Sequence, residues 1–204
     1  MSGSTRRIVG IAGAPGAGKT TYAERLVAES GVPAAHLPMD GFHLADVALR
    51  RLGLLDRKGA PETFDAWGYA ALLGRVRTAT ETVWAPGFER DLEQPLAGAI
   101  AIEPGTELVV TEGNYLLLDR PEWRAVRAEL DAVWFLDVPD AVRRARLVAR
   151  HTAYGKTPEE AEAWVSRVDD ANAALVSATR STADRVLDPD EAEAGKRPGP
   201  RFVV

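Results

Sequence analysis

The chain has 204 residues, 46% of them apolar and 27% charged, so it is long and apolar enough to bury the core of one domain. A formal charge of -5 provides no overall field for gathering nucleic acid or an anionic membrane, and we expect neither as a partner. The sequence has no run of about 18 apolar residues that would predict a membrane span, and its lack of cysteine excludes disulfides and thiolate metal sites.

Five short apolar runs predict β-strands, and most of them lead into polar or glycine-rich residues. They lie at residues 8–12, 37–40, 108–112, 132–138 and 184–187. Stretches with helical spacing of apolar residues follow or separate them, at residues 20–30, 66–80, 121–129, 139–151 and 158–181. This alternation predicts an α/β domain with a mostly parallel, five-stranded sheet.

The ends of the chain set the limits of this domain. Residues 1–7 lead into the first predicted strand without a signal-peptide pattern, so we expect a cytosolic protein. A single domain is expected over residues 1–190. Residues 191–204 are rich in proline, glycine and charge, and we expect them to form a poorly ordered or draped tail.

Residues 13–20 read GAPGAGKT and match the phosphate-binding pattern G-x-x-x-x-G-K-[ST] between a predicted strand and a predicted helix. Glycines let the backbone N–H groups converge on phosphate oxygens at the positive end of the helix. Lys19 is expected to reach the β and γ phosphates of ATP, and Thr20 to bind Mg²⁺. The expected nucleotide-binding residues are Gly13, Ala14, Pro15, Gly16, Ala17, Gly18, Lys19, Thr20 and Thr21.

The sequence argues against two large classes of nucleotide-binding protein. A GTP switch needs a guanine-reading N-K-x-D, but the only asparagines, Asn114 and Asn172, are not followed by lysine. The signature of transport ATPases is absent as well. A kinase acting on a small molecule remains, with its acceptor held at the same edge of the sheet as the phosphates.

Acidic residues at the ends of predicted strands are the candidates for proton transfer and metal binding. Asp40, in LPMDGFH, lies at the end of the second predicted strand and could accept the proton of an attacking hydroxyl. Glu112, in LVVTEGNY, could hold Mg²⁺ through water or assist proton transfer. Asp137 precedes a predicted helix, and we interpret it as a capping or structural group.

The predicted helix at residues 139–151 carries arginines at helical spacing. Arg143, Arg146 and Arg150 share one face, and we expect the neighbouring stripe to pack inward, through Val142, Ala145 and Ala149. The polar segment at residues 150–158 resembles a mobile lid whose closure would bring Arg146 and Arg150 to the transferring phosphoryl group. Solvated surface arginines are the alternative for this face.

Together these stretches resemble the P-loop kinases that include uridine kinase, phosphoribulokinase and bacterial type I pantothenate kinase. The matching segments are GAPGAGKTT, MDGFH, RKGAPETFD, PGFER, VVTEGNYLLLD, the arginine helix and DDANAALVSATRSTADRVL, in order over residues 8–187. The resemblance implies a three-layer P-loop fold with a five-stranded parallel sheet and a small lid. It also implies binding of ATP with Mg²⁺ and, in many members, a homodimer.

The resemblance implies roles for individual residues. Asp40 matches the acid that serves as the base in these kinases. Glu112 matches the acid at the end of a strand that helps to hold the metal with Thr20. Asp65 matches an acid that contacts the hydroxyls of the acceptor. Further segments that line the acceptor pocket in relatives contain Arg90, Asn114, Tyr115 and Asn172. His43 replaces a tyrosine of the uridine kinases. It could bond an acceptor hydroxyl or, equally, the backbone of its own loop.

The sequence therefore predicts an ATP-dependent kinase that phosphorylates a hydroxyl of a small metabolite. A nucleoside is the first choice of acceptor, followed by a sugar or polyol such as fructose and then a pantothenate-like compound. A nucleotide-binding regulatory protein without turnover is the alternative from another class.

Overall fold

The computed structural model describes residues 6–188, in which strands and helices alternate as expected. In chain order the elements are β1 (Arg7–Ala12), α1 (Lys19–Ala28), β2 (Ala34–Pro38), α2 (Asp46–Leu52), α3 (Ala66–Thr78), β3 (Val83–Glu89), β4 (Gln94–Ile102), β5 (Leu108–Gly113), α4 (Pro121–Ala128), β6 (Ala132–Leu136), α5 (Asp140–Ala153), α6 (Pro158–Trp164), α7 (Asp170–Ser177) and β7 (Arg185–Leu187).

Five of the strands form one parallel sheet in the order β2-β5-β1-β6-β7. Ala12 pairs with Gly113, and Pro38 pairs with Glu112, so β1, β5 and β2 end at the same edge. The segments that follow these three strands therefore lie side by side. This arrangement confirms the predicted α/β class and brings the phosphate-binding motif, Asp40 and Glu112 to one edge.

Apolar side chains cover both faces of the sheet, which explains why its central strands are nearly continuous apolar runs. On one face, Val9, Ile11 and Val110 pack with the α1 residues Tyr22 and Leu26. The other face carries the larger core, in which α3 and α4 pack against the strands through Tyr69, Leu73, Val76, Trp123 and Val126. Each such fully buried side chain stabilises the fold by roughly 1.5–3 kcal/mol.

The antiparallel hairpin of β3 and β4 was not among the predicted elements. It forms a second, two-stranded sheet and packs on the one-turn helix Met39–Phe42. Helix α2 was not predicted either. Both lie between the second and third strands of the main sheet in the sequence, and the hairpin forms a wall beside Asp40.

The arginine helix differs from the prediction in its buried face. Arg143 and Leu147 face inward, whereas the predicted packing stripe of Val142, Ala145 and Ala149 is exposed. Arg143 tolerates burial because its guanidinium group bonds Asp140 and Asp170.

The predicted helix at residues 158–181 is divided. Helix α6 passes through a π-helical turn at Val165–Asp169 into α7, and a separate 3₁₀ turn follows at Arg180–Thr182. Helix α5 continues to Ala153, so the predicted lid at residues 150–158 begins as helix and ends at the capped start of α6. The predicted tail lies outside the described residues, and its order stays a prediction.

Within residues 6–188, none of the helices combines the length and apolar character that a membrane crossing demands.

Candidate active site

The GAPGAGKT loop joins β1 to α1 and is shaped by its glycines. Gly16 and Gly18 have φ angles of 80° and 91°, which are costly for residues with a side chain. A Cβ atom on Gly16 would also lie 2.5 Å from the carbonyl oxygen of Arg143. The loop is therefore closely packed against α5, and Lys19 begins the helix directly after it.

Lys19 is buried, and its side chain turns back over the loop. Its Nζ donates to Asn114 Oδ1 at 2.7 Å and to the carbonyl oxygen of Ala14 at 3.2 Å. Burial lowers the pKa of Lys19, while the carboxylates of Glu112 and Asp40 act in the opposite direction. The ammonium group is thus held at the loop by an amide and two nearby acids.

Thr20 and Glu112 form an oxygen pair beside Lys19. Thr20 Oγ1 donates to Glu112 Oε1 at 2.9 Å, and the Glu112 side chain is only 7% exposed. Burial, with a contribution from Asp40, raises the pKa of Glu112 to about 7. Hydroxyl and carboxylate oxygens are the donors that Mg²⁺ prefers, so these residues fit the metal that the motif implies.

Protein side chains alone do not complete a metal centre here. Across the described part of the chain, no cluster of three or more histidine, aspartate or glutamate side chains is suited to hold a metal. Mg²⁺ commonly keeps several waters and binds one or two protein ligands together with substrate phosphates. The Thr20–Glu112 pair is consistent with that mode of binding.

Asp40 lies in the one-turn helix after β2, opposite the phosphate loop. Its Oδ2 accepts a bond of 2.7 Å from Arg90 Nη2, and His43 Nδ1 is 3.9 Å from its Oδ1. Burial would raise the pKa of Asp40, but His43, Arg90 and Lys19 together hold it below its usual value. Asp40 is therefore an ionised carboxylate near neutral pH.

His43 bonds the backbone of its own loop, since its Nδ1 donates to the carbonyl oxygen of Asp40 at 2.9 Å. Burial lowers the pKa of His43, so the ring is neutral near pH 7. Its Nε2 is then a hydrogen-bond acceptor. The ring packs between Phe64 and Phe88, with centroid distances of 4.0 and 4.8 Å.

Two cations flank this aromatic group. Arg90 and Lys58 lie 5.3 and 5.7 Å from the ring centroid of Phe88. Lys58 Nζ also donates to Asp46 Oδ1 at 2.7 Å and to the carbonyl oxygen of Glu93, which ties its loop to α2 and to the hairpin turn. Sequence reasoning did not single out Lys58 or Phe88, although both lie in or next to segments that carry the family resemblance.

Three residues expected to line the acceptor pocket make hydrogen bonds within the fold. Tyr115 Oη and Asn172 Nδ2 both donate to the carbonyl oxygen of Gly59, at 2.5 and 3.3 Å. Asp65 is exposed and caps α3 by accepting a bond of 2.9 Å from Gly68 N. Tyr115 and Asn172 shape the pocket by fixing the Gly59 loop. The cap gives Asp65 a structural role at the start of α3.

Of the three arginines predicted to share a face of α5, one has a structural role and the other two are candidates for the site. Arg143 is 4% exposed and bonds Asp140 and Asp170 at 2.6 and 3.0 Å. Arg146 Nη1 donates to the carbonyl oxygen of Ala17 in the phosphate loop at 3.3 Å. The positive charge of Arg150 lowers the pKa of both Lys19 and Asp40, although it is not the largest cause for either.

The parallel sheet, the glycine loop and the lysine at the start of α1 define a P-loop nucleotide-binding fold. The profile of the phosphoribulokinase/uridine kinase family matches residues 8–191, and the chain belongs to that family. This finding confirms the resemblance that the motifs carry.

Relatives support the same placement. A crystal structure of a kinase provisionally ascribed to a fructose transport system in Silicibacter sp. TM1040 is 41% identical, with a TM-score of 0.84 over 91% of each chain. A Schizosaccharomyces pombe protein with a provisional uridine kinase name is 34% identical over 89% of this chain and 83% of its own length. Phosphoribulokinase from Rhodobacter spheroides shares the fold, with a TM-score of 0.64 and 12% identity over 91% of this chain and 70% of its own.

Proposed function

We propose that this protein is an ATP-dependent phosphotransferase that transfers the γ-phosphoryl group to an alcohol hydroxyl of a small metabolite. The observation that carries the proposal is an ionised Asp40 at the same sheet edge as the phosphate loop and the Thr20–Glu112 pair. A phosphate site alone would serve many functions. A carboxylate facing that site supplies what a hydroxyl acceptor needs.

Each group has a distinct task in this reaction. Asp40 orients the acceptor hydroxyl and accepts its proton as the oxygen attacks phosphorus. Lys19 and the backbone N–H groups of the loop bind the phosphates, and Arg146 and Arg150 stabilise charge on the transferring group when the lid closes. Mg²⁺, held through Thr20 and Glu112, would neutralise phosphate charge.

The acceptor we favour is a nucleoside, with a sugar such as fructose and a pantothenate-like compound as the alternatives. The aromatic side chains of Phe64, His43 and Phe88 favour an acceptor that has a flat ring. The provisional name of the fission yeast relative also favours a nucleoside, whereas that of the Silicibacter structure favours a sugar. A cytosolic location and a homodimer stay predictions.

A nucleotide-binding regulatory protein without turnover is the rival function. Such a protein needs the phosphate loop but has no use for an ionised acid opposite it or for arginines beside it. The Asp40–Arg90 pair and the Arg146 contact with Ala17 therefore weigh against it.

A screen with γ-labelled ATP tests the proposal. Nucleosides, sugars and vitamin precursors with primary hydroxyls are incubated with the protein, ATP and Mg²⁺, and labelled products are separated from ATP and free phosphate. We expect one acceptor class to become labelled, with Lys19→Ala as the inactive control. Nucleotide binding without a labelled product from any class would favour the regulatory alternative.

A further inference from the structure

His36 lies in the middle of β2, beside β5, the strand that contains Glu112. Its Cα pairs with Val110 and that of Pro38 pairs with Glu112, so His36 shares a sheet face with Glu112. Val110 on this face packs in the core formed with α1, the helix that begins at the phosphate loop. His36 thus lies behind the Thr20–Glu112 pair as viewed from the phosphate loop.

The ring of His36 has a polar atom that the fold leaves unsatisfied. Nε2 is buried and makes no hydrogen bond, and it lies 3.9 Å from Glu112 Oε1. A buried nitrogen without a partner costs roughly 1–3 kcal/mol, so its placement needs a reason. The distance is too long for a direct bond, but it suits a bridging water or a small rotation of either side chain.

The charge state of His36 is compatible with donation to the carboxylate. Burial lowers its pKa, although Glu24 on α1 acts in the opposite direction, so the ring is neutral near pH 7. A neutral imidazole protonated on Nε2 donates to Glu112, whereas the other tautomer would bring two acceptors together.

We propose that His36 is a positioning residue for the magnesium site. Its Nε2–H bonds the Glu112 carboxylate, directly or through one water, and restricts the orientation of the carboxylate that would hold Mg²⁺ together with Thr20. Groups behind a metal ligand restrict its orientation and strengthen metal binding. This inference rests on the proposed function, because that function requires MgATP at the loop.

The test measures how strongly Mg²⁺ and nucleotide binding are coupled. A non-hydrolysable ATP analogue is titrated by calorimetry into the protein with and without Mg²⁺, and the ratio of the two dissociation constants is the coupling factor. We expect His36→Leu to reduce this factor about 10-fold while the affinity without metal stays within about 2-fold. His36→Gln, which keeps an N–H donor, should retain most of the coupling.

One outcome would overturn the proposal, which is an unchanged coupling factor in His36→Leu. The factor would be unchanged if both affinities stayed at the parent level, or if both fell equally, as a general structural defect would cause. If the analogue failed to bind the parent protein at all, the proposed function would fail instead. The two failures are therefore distinguishable.

A measurement on the parent protein covers the case in which His36→Leu does not fold. The chain has three histidines, so long-range ¹H–¹⁵N spectra can be assigned with His36→Gln as reference. We expect the Nε2–H tautomer for His36 with Mg²⁺ and the analogue bound. An unprotonated Nε2 would contradict the proposal.

Discussion

At the scale of single residues, the charge of Asp40 depends on its neighbours. Arg90 donates to it directly, while His43 is neutral near pH 7 and is charged only in acid. Arg90 therefore has two tasks in the proposed reaction. It keeps Asp40 ionised, and it holds the carboxylate on the acceptor side of the cleft.

Replacing Arg90 by glutamine should raise the pKa of Asp40, because a nearby positive charge is removed. The base must be ionised to accept a proton, so the acid limb of the kcat/KM profile should move to higher pH. The profile is measured from pH 5 to 9 with the acceptor found in the screen. Arg124→Gln, at an exposed arginine paired with Asp119, is the control. An acid limb that stayed in place in Arg90→Gln would show that Arg90 does not control Asp40.

Glu112 gives a prediction about stability and pH. Its pKa is about 7 in the folded protein, against an unperturbed value of 4.5, so the folded state binds a proton between these values that the unfolded state has lost. Metal-free protein should therefore lose stability as pH rises from about 5 to 8, by roughly 2–3 kcal/mol from this residue. Glu112→Gln, which keeps an acceptor for Thr20, should not show this loss.

Urea unfolding of both proteins at several pH values, without Mg²⁺, checks this expectation. The stability of Glu112→Gln relative to the parent should grow with pH across this range. A difference that is independent of pH would mean that Glu112 is ionised throughout, and that burial does not control its charge.

At the scale of elements, the sequence predicted the sheet but not the wall beside Asp40. Apolar runs predicted the five strands of the sheet. The second of them, predicted at residues 37–40, is instead Ala34–Pro38 and ends before Asp40, which lies in a one-turn helix. The hairpin strands lack this apolar pattern. Strand β4 is largely exposed and contains Pro95 and Gly98. Strand β3 contains Pro86, and its pairing with β4 is irregular at that point. The burial of Arg143 was not predicted because one of its two partners, Asp170, lies 27 positions further along the chain.

The same limits applied to the site. Lys19, Thr20, Asp40 and Glu112 could be proposed from the sequence because parallel strands end at one edge. The Arg90–Asp40 bond joins residues 50 positions apart through an unpredicted hairpin. Asp65 looked like a substrate ligand because it lies in a family motif, yet in the structure it caps a helix.

Contact between the hairpin and the Asp40 turn can be tested at Gly41. A Cβ atom there would collide with the backbone carbonyl of Pro86 in β3. Gly41→Ala should displace the hairpin, lower stability by about 1–3 kcal/mol and weaken transfer by separating Arg90 from Asp40. Gly105→Ala is the matched control, since nothing lies within 4 Å of its added Cβ. Parent-like stability and transfer in Gly41→Ala would show that this contact is not needed.

At the scale of the whole molecule, the sheet serves as a frame that brings distant segments to one edge. The phosphate loop follows β1, and Asp40 follows β2. Glu112 lies near the end of β5, and Asn114 comes directly after that strand. The hairpin covers the acceptor side through Arg90, and α5 covers the nucleotide side through Arg146. Transfer in this arrangement requires Asp40 and the γ-phosphate to act on the same acceptor.

The most direct test of this account is single-turnover transfer from γ-labelled ATP to the identified acceptor by Asp40→Asn, beside the parent and Asp65→Asn. We expect Asp40→Asn to bind MgATP with parent-like affinity but to transfer at least about 100-fold more slowly. Asp65→Asn should transfer near the parent rate, because asparagine also caps helices. Transfer by Asp40→Asn at the parent rate would contradict the central claim.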